Sequence, residues 1–338
     1  MDNGSEELTA ETGVGATIAA LVIICVGLRF YSRHHTRAGF KLDDWLILAS
    51  LLLLIATDAV VVYANGLAPN VAYIASTPGI EEFGPAAALY TEISFIATVF
   101  YFLITSTTKL SILVLYNRLF SVSKLLKRQI IILSIAVVSY GIGSSVANLL
   151  NCIPLKYSWI NNLDDPRYCF NYNVFWLATG VVEAVLDVFI ILLPIGAVAK
   201  LQLSLRKKIA VILVYLTGLL CIVSGILKII YGYVPGSRVP SFGNTAIWSI
   251  VHLGTGILCA CLPVCWPVFV RLGNFTKRSW GQSFGSRESR HGSSNNWSQL
   301  GGGGSRRHLR PPSVEDGLPI NSERDYYPLT VIHREASK

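Results

Sequence analysis

Seven long apolar stretches decide what this chain can fold into. They cover residues 14–31, 45–63, 91–116, 129–150, 174–199, 209–230 and 246–270. Each comes close to the roughly 20 residues that a helix needs to cross the hydrocarbon core of a bilayer. Backbone groups in lipid must satisfy their own hydrogen bonds, and these stretches are too long and too evenly apolar for barrel strands. The sequence therefore predicts an all-α fold, a bundle of seven transmembrane helices.

Basic residues are concentrated on alternate connections. The first, third and fifth loops each carry at least three Lys or Arg residues, whereas the second has none, the sixth has Arg238 alone, and the fourth has Lys156 and Arg167. Short loops rich in Lys and Arg stay in the cytoplasm. We therefore expect the N-terminus outside and the C-terminus in the cytoplasm, in the plasma membrane or in an internal membrane.

The chain divides into three predicted parts. Residues 1–13 form an acidic extracellular N-terminus, which contains the glycosylation candidate Asn3 in the sequence Asn3-Gly4-Ser5. Residues 14–271 form the membrane domain. Residues 272–338 are rich in Ser, Gly and Arg without helical periodicity, a composition typical of a disordered cytoplasmic tail.

Charge and composition limit the partners. The net charge is +8, but only 14% of residues are charged, against roughly 25% in soluble domains. The basic residues lie on the predicted inner loops and tail, where anionic lipid headgroups attract them. Membrane lipids are therefore the expected partners, and nucleic-acid binding is not.

Two cysteines fall in the same predicted outer loop. An oxidising exterior favours a disulfide between Cys152 and Cys169, and the alternative is two free thiols. Three further cysteines lie in the last apolar stretch. Cys259 and Cys261 are two residues apart, so on a helix they point to nearly opposite faces, and we predict no metal site there.

Ionisable residues inside the membrane are costly and are functional candidates. Six of them fall in the outer halves of the predicted helices and are candidate ligand-binding residues of a polar cavity open to the outside: Asp58, Glu92, Glu183, Asp187, Lys228 and His252. Glu183 and Asp187 are one turn apart and repel each other unless a cation lies between them, with Lys228 and His252 as available partners. The alternative is a set of buried ion pairs that only fix the helix register.

A second charged group lies near the predicted cytoplasmic face. Asp43 and Asp44 begin the second helix, while Lys109 and Arg118 lie in and after the third. One interpretation is an ion-pair lock between these two helices. The other is that the two aspartates cap the free N–H groups of the second helix, and both can hold together.

Short motifs in a fixed order resemble the fungal rhodopsin-domain family, which includes satratoxin-cluster membrane proteins and receptor-like chains. They are Leu42-Asp43-Asp44-Trp45, then Lys109-Leu110-Ser111-Ile112-Leu113 with Tyr116 and Arg118, then Cys152-Ile153-Pro154 with Cys169. The resemblance covers roughly residues 27–270 and implies a seven-helix membrane protein. It adds Trp45 and Tyr116 to the group at the cytoplasmic face. Residues 246–270 contain no lysine to bind retinal, so we predict no cofactor.

Three classes of function are considered. A receptor-like protein would sense an unknown extracellular ligand through the outer polar cavity and signal to a cytoplasmic partner by helix rearrangement. The alternative is a transporter of a small solute or secondary metabolite. A metal-dependent intramembrane hydrolase would need several ligands, whereas His252 is the only histidine inside an apolar stretch. The sequence thus favours a receptor-like protein and not an enzyme.

Overall fold

The computed structural model describes residues 2–37, 39–67, 85–119, 124–160, 165–195 and 205–285. These residues form eight helices: α1 (Asp2–His35), α2 (Leu42–Leu67), α3 (Pro85–Leu119), α4 (Lys124–Leu149), α5 (Tyr157–Ile160), α6 (Tyr172–Leu192), α7 (Leu205–Gly232) and α8 (Phe242–Gly285). Apart from one isolated bridge, the described part of the chain has no β-structure. The all-α prediction is confirmed.

Seven of the helices contain a segment that is long and apolar enough to cross a membrane. The segments are Thr12–His35, Leu42–Tyr63, Thr91–Arg118, Lys124–Leu149, Tyr172–Leu192, Ile212–Gly232 and Thr245–Trp266. At 1.5 Å per residue, each covers about 30 Å of hydrocarbon. Large apolar side chains such as Ile132, Ile142 and Leu220 remain exposed on the outside of the bundle, where lipid can surround them. The seven-helix prediction is confirmed, while the direction of insertion stays a prediction.

Two helices extend beyond the predicted limits of the membrane domain. Helix α1 begins at Asp2, so residues 2–13 of the predicted N-terminal part continue the first helix, and their location outside the membrane stays a prediction. Helix α8 continues to Gly285, beyond the predicted limit at residue 271, because the sequence has no proline between Pro267 and Gly285 to interrupt its hydrogen bonds. The rest of the predicted tail, 286–338, lies outside the described residues. The chain forms two compact units, and Met1–Val268 contains every feature described below.

Helix α3 is the centre of the packing. It contacts α2, α4, α5 and α6, while α1 packs on α2, and α7 packs on α6. Small residues permit these close approaches. A Cβ on Gly180 of α6 would lie 2.6 Å from the side chain of Ile229 on α7, and one on Gly141 of α4 would collide with Ser106 on α3.

The connections around Cys152 define one end of the bundle, which we call the disulfide end. Cys152 and Cys169 are bonded to each other, so the predicted disulfide is present in the structure. The Arg238 guanidinium, in the connection between α7 and α8, donates a hydrogen bond of 2.8 Å to the Cys169 carbonyl oxygen. Asn173, at the start of α6, donates to the carbonyl of Val234 at 2.7 Å. These contacts hold the α4–α6 and α7–α8 connections together.

Candidate functional site

A buried carboxylate on α6 is shared by side chains from three other helices. Glu183 is 2% exposed. Its Oε2 accepts a hydrogen bond of 2.7 Å from the Tyr101 hydroxyl of α3 and one of 2.8 Å from Lys228 Nζ of α7. His252 Nε2 of α8 lies 3.3 Å from Oε1 of the same carboxylate. One side chain thus connects α3, α6, α7 and α8.

One turn further along α6, Asp187 extends the same cluster. Residues four apart on a helix share a face, so Glu183 and Asp187 point in the same direction. Lys109 Nζ of α3 lies 2.5 Å from Asp187 Oδ1 and 3.7 Å from Glu183 Oε1. The repulsion predicted between the two carboxylates is therefore offset by ammonium groups on both sides. We call these six residues the cross-bundle network: Tyr101, Lys109, Glu183, Asp187, Lys228 and His252.

The network also has an internal relay of hydrogen bonds. Lys228 Nζ donates to the Tyr101 hydroxyl at 2.6 Å, and that hydroxyl donates in turn to Glu183. Lys228 Nζ also lies 4.3 Å from the centre of the Tyr101 ring and 5.1 Å from that of Trp176, within the range of cation–π attraction. A change in the position of Tyr101 or Trp176 would therefore move the Lys228 ammonium.

His252 could in principle join Asp187 and Cys221 as a metal ligand, since their ligand atoms all lie within 4.8 Å of one another. The contacts of His252 and Asp187 argue against a metal ion at this position. His252 Nδ1 lies 3.0 Å from the Cys221 carbonyl oxygen, which can only accept, and Nε2 faces Glu183. Both ring nitrogens therefore face acceptors and offer no free lone pair, and Lys109 already pairs with Asp187. The residues present fit a salt-bridge network better than a metal centre.

Two cavities border the network. The smaller one, of about 40 Å³, is lined by Lys109, Asp187 and His252 together with Tyr116 and apolar residues of α6, α7 and α8. The larger one, of about 120 Å³, lies nearer the disulfide end, between α2, α3, α6 and α8, and we call it the outer cavity. Asp58, Tyr101 and Trp176 line it. Tyr101, a member of the network, thus faces the outer cavity, and so does Trp176, which contacts Lys228 of the network.

A separate charged cluster lies at the opposite end of the bundle. Arg29 of α1 donates to Asp44 at 2.8 Å and to Asp43 at 2.6 Å, and Arg33 donates to the same two carboxylates at 3.1 and 2.6 Å. Arg29 also donates to the Ala260 carbonyl oxygen of α8 at 2.6 Å. We call these four side chains the arginine–aspartate cluster. It fixes α1 against α2 and α8.

The structure brings four of the six residues of the predicted cavity group together, while their role in ligand binding stays a prediction. Glu183, Asp187, Lys228 and His252 come together as expected. They pair with one another and with Lys109, which fits the alternative of buried pairs between helices, although Asp187 Oδ2 has no hydrogen-bond partner among the described residues. Asp58 lines the outer cavity instead, with Oδ2 buried and without a hydrogen-bond partner among the described residues.

Glu92 does not join the predicted cavity group. Its side chain is exposed, and it lines neither cavity described above. Glu92 therefore lies apart from the other predicted residues, and a role for it in ligand binding stays a prediction.

The ion pairing predicted near the cytoplasmic face, between the second and third helices, was wrong. Lys109 belongs to the cross-bundle network, because α3 directs it towards α6 and not towards α2. The partners of Asp43 and Asp44 are the arginines of α1, and Arg118 Nη1 has no hydrogen-bond partner in the part of the chain that the structure describes. The lock therefore joins α1 to α2.

The two aromatic residues added to that group lie apart from the lock. Trp45 is 57% exposed. Tyr116 is buried and lines the smaller cavity instead.

Several site residues were missed from the sequence: Arg29, Arg33, Tyr101, Trp176 and Cys221. For some of them, the spacing along the helix could have indicated a shared face. Arg29 and Arg33 are four residues apart, and Tyr101 precedes Lys109 by eight, so each pair lies on one helix face. Trp176 gives no such signal, because an aromatic residue near a helix end is common in membrane proteins.

The comparison with known families agrees with this bundle of seven apolar spans. The family model of the fungal rhodopsin domain matches residues 28–271. The chain belongs to the fungal rhodopsin domain family. The family assignment covers both ionic clusters and the outer cavity.

Curated relatives agree with this assignment. The chain is 26% identical to the polyenoic acids biosynthesis gene cluster protein Ba17b of Metarhizium anisopliae, over 76% of this chain and 73% of the relative. It is 27% identical to Receptor GIN3 of Arthrobotrys oligospora, over 71% of this chain and 57% of the relative. It is also 27% identical to a SAT4 family membrane protein of Emericella nidulans, over 54% of this chain and 46% of the relative. No solved structure matches the chain significantly.

Proposed function

We propose that this multi-pass membrane protein is a receptor-like sensor rather than an enzyme. A small extracellular ligand enters the outer cavity, and its binding rearranges the cross-bundle network. The rearrangement changes the cytoplasmic end of the bundle, where a signalling partner binds. The plasma membrane is the location that such a role requires.

One observation carries the proposal. Tyr101 and Trp176 line the outer cavity and also contact the Lys228 ammonium, at 4.3 and 5.1 Å from the ring centres. A ligand against these rings changes the environment of a charge that is 2.8 Å from Glu183. A ligand can shift a conformational equilibrium only through such differential contacts.

The network has the properties of an element with two states. Glu183 is shared by Tyr101, Lys228 and His252, so loss of one contact leaves the others to redistribute. Lys109 lies between Glu183 and Asp187 and can strengthen its contact with either. Buried charges must stay paired, so the network has few alternative arrangements.

The relatives support the proposal in a limited way. One of them is named a receptor, and another is named for a biosynthetic gene cluster. A sensor of a small secreted compound is compatible with both names. Neither name specifies a ligand for this chain.

The test measures whether the outer cavity communicates with the opposite end. Spin labels on Leu125→Cys of α4 and Ile209→Cys of α7 report that end, since both side chains are exposed. The protein is reconstituted in lipid nanodiscs, and the distance distribution is measured by pulsed electron spin resonance. Tyr101→Phe removes the hydroxyl between Lys228 and Glu183, and we expect the distribution to shift or broaden.

The matched control is Tyr140→Phe, because the Tyr140 hydroxyl is buried without a hydrogen-bond partner among the described residues. An unchanged distribution in Tyr101→Phe, equal to that of Tyr140→Phe, would contradict the coupling. Solute uptake into proteoliposomes is measured with the parent and with the variants Glu183→Gln and Asp187→Asn, and the spin-label distances are measured in the same two variants. Uptake that depends on Glu183 or Asp187, with unchanged distances, would favour the transporter instead.

A further inference from the structure

The outer cavity contains an unusual set of buried polar atoms. Asp58 Oδ2, Trp176 Nε1 and Thr245 Oγ1 are all inaccessible to solvent and have no hydrogen-bond partner among the described residues. All three residues line the cavity. Trp176 is 7% exposed and Thr245 is 4% exposed. Unpartnered polar groups at such depth are costly, and a carboxylate is the most costly of them.

Two of these atoms face the same small space. A Cβ placed on Gly232 would lie 2.6 Å from both Trp176 Nε1 and Thr245 Oγ1. A side chain at Gly232, the last residue of α7, would therefore collide with both polar atoms. The indole N–H can only donate, while the hydroxyl can donate or accept.

We propose that the outer cavity binds a small organic cation, a protonated amine with an apolar body and a hydrogen-bond acceptor. This proposal rests on the proposed function and names the ligand class. The ammonium pairs with Asp58, and the acceptor receives the indole N–H of Trp176. Thr245 completes the polar contacts.

The charges of the lining select a cation. Asp58 is the only carboxylate among the described residues that line the cavity, and no lysine, arginine or histidine is among them. An anion would meet the Asp58 carboxylate without a compensating charge. A protonated amine forms a charge-assisted hydrogen bond, which is roughly twice as strong as a neutral one. The rings of Tyr101 and Trp176 already contact the Lys228 ammonium, so the selection of a cation rests on Asp58.

The size of the cavity limits the apolar body. Its volume of about 120 Å³ is comparable with that of an apolar cavity that accommodates benzene. The lining also includes Ile93, Ile250 and Leu253. The volume therefore accommodates about one aromatic ring, and the amine group of the ligand extends from it to Asp58.

The experiment tests the ammonium part of the site with three probes of similar size. Phenethylamine, 2-phenylethanol and phenylacetate each join a phenyl ring through a short chain to a cationic, neutral or anionic polar group. Each is added at up to about 10 mM to the purified full-length protein in nanodiscs, because fragments of this size bind weakly. We expect phenethylamine to raise the melting temperature with concentration, 2-phenylethanol to act more weakly, and phenylacetate to have no effect.

Three variants locate the binding. Asp58→Asn should weaken phenethylamine binding by about tenfold or more, while Asp58→Glu retains part of it. Without probe, Asp58→Asn should melt at the same temperature as the parent or higher, because an unpaired buried charge is removed. Gly232→Ala should also weaken binding by crowding Trp176 and Thr245. Its control is Gly143→Ala, since a Cβ on Gly143 meets no atom within 4 Å.

The outcomes separate this proposal from the proposed function. Stabilisation by phenylacetate equal to that by phenethylamine, no stabilisation by phenethylamine, or full retention of it in Asp58→Asn would each overturn the amine site. Such a result leaves the distance measurement with Tyr101→Phe to decide the coupling. If phenethylamine binds through Asp58 but leaves the distances between Leu125→Cys and Ile209→Cys unchanged, the site stands and the sensor function fails.

Discussion

The arginine–aspartate cluster and the cross-bundle network are both buried and both built from ion pairs, but they differ in what they join. The first connects α1 and α2, which are neighbours in the chain, and adds a carbonyl of α8. The second connects α3, α6, α7 and α8 and shares Tyr101 with the outer cavity. One cluster fixes a local pair of helices, whereas the other is in contact with the place where a ligand can bind.

The shape of the cations reinforces the difference. Planar guanidinium groups make several hydrogen bonds in fixed directions, and Arg29 and Arg33 each reach both aspartates. Lys109 and Lys228 are flexible ammonium groups that can move between acceptors. We therefore expect the arginine–aspartate cluster to stay constant and the cross-bundle network to change when the proposed ligand binds.

Glu183→Gln should have the largest effect on stability. This substitution removes the buried carboxylate that pairs with Lys228 and lies near Lys109. Breaking a buried ion pair costs about 3–5 kcal/mol. We expect a large fall in melting temperature and loss of any distance change caused by phenethylamine. The exposed Glu92→Gln is the control and should melt like the parent. A melting temperature for Glu183→Gln within error of the parent would show that the network is not paired as described.

Removing both partners of one pair should cost less than removing one. Lys109→Met leaves Asp187 unpaired, apart from His252 at 3.8 Å, and should destabilise by about 3 kcal/mol. The double variant Lys109→Met/Asp187→Leu removes both charges and should recover most of that loss. Melting temperatures of the parent, both single variants and the double variant give the coupling free energy. Additive losses would contradict a direct contact between these residues.

Arg29→Lys should have a smaller effect, confined to the opposite end. A lysine keeps the charge but cannot donate to Asp43, Asp44 and the Ala260 carbonyl in the same geometry. We expect a loss of about 1–3 kcal/mol in stability and unchanged phenethylamine affinity. Arg167→Lys, whose side chain is 80% exposed, is the control. A change in phenethylamine affinity in Arg29→Lys would remove the distinction between the two clusters.

The spans and the two carboxylates of α6 can be predicted from the sequence, whereas the partners of the lysines cannot. The spans follow from hydrophobicity alone, and Glu183 with Asp187 follows from helical spacing. The partner of Lys109 does not, because the rotation of α3 about its axis depends on how it packs against α2, α4 and α6. Lys109 was assigned to Asp43 and Asp44 from its depth in the membrane alone, since the sequence does not give the rotation of α3. The outer cavity needs four helices in place, so no single segment indicates it.

Asp165→Asn should have the smallest effect. Asp165 lies in the connection before α6, outside the spans, and the backbone N–H of Arg167 donates to its carboxylate at 3.0 Å, which lowers the pKa of Asp165. A depressed folded pKa adds stability above the unfolded value near 3.9, and this stability is lost as the pH falls through the folded pKa. Because its partner Arg167 is exposed, we expect no measurable change in melting temperature near pH 7. A slightly weaker dependence on pH between about pH 5 and pH 3 is the only expected signal. A large loss at neutral pH would show that this surface pair supports the disulfide end as firmly as the buried pairs support the bundle.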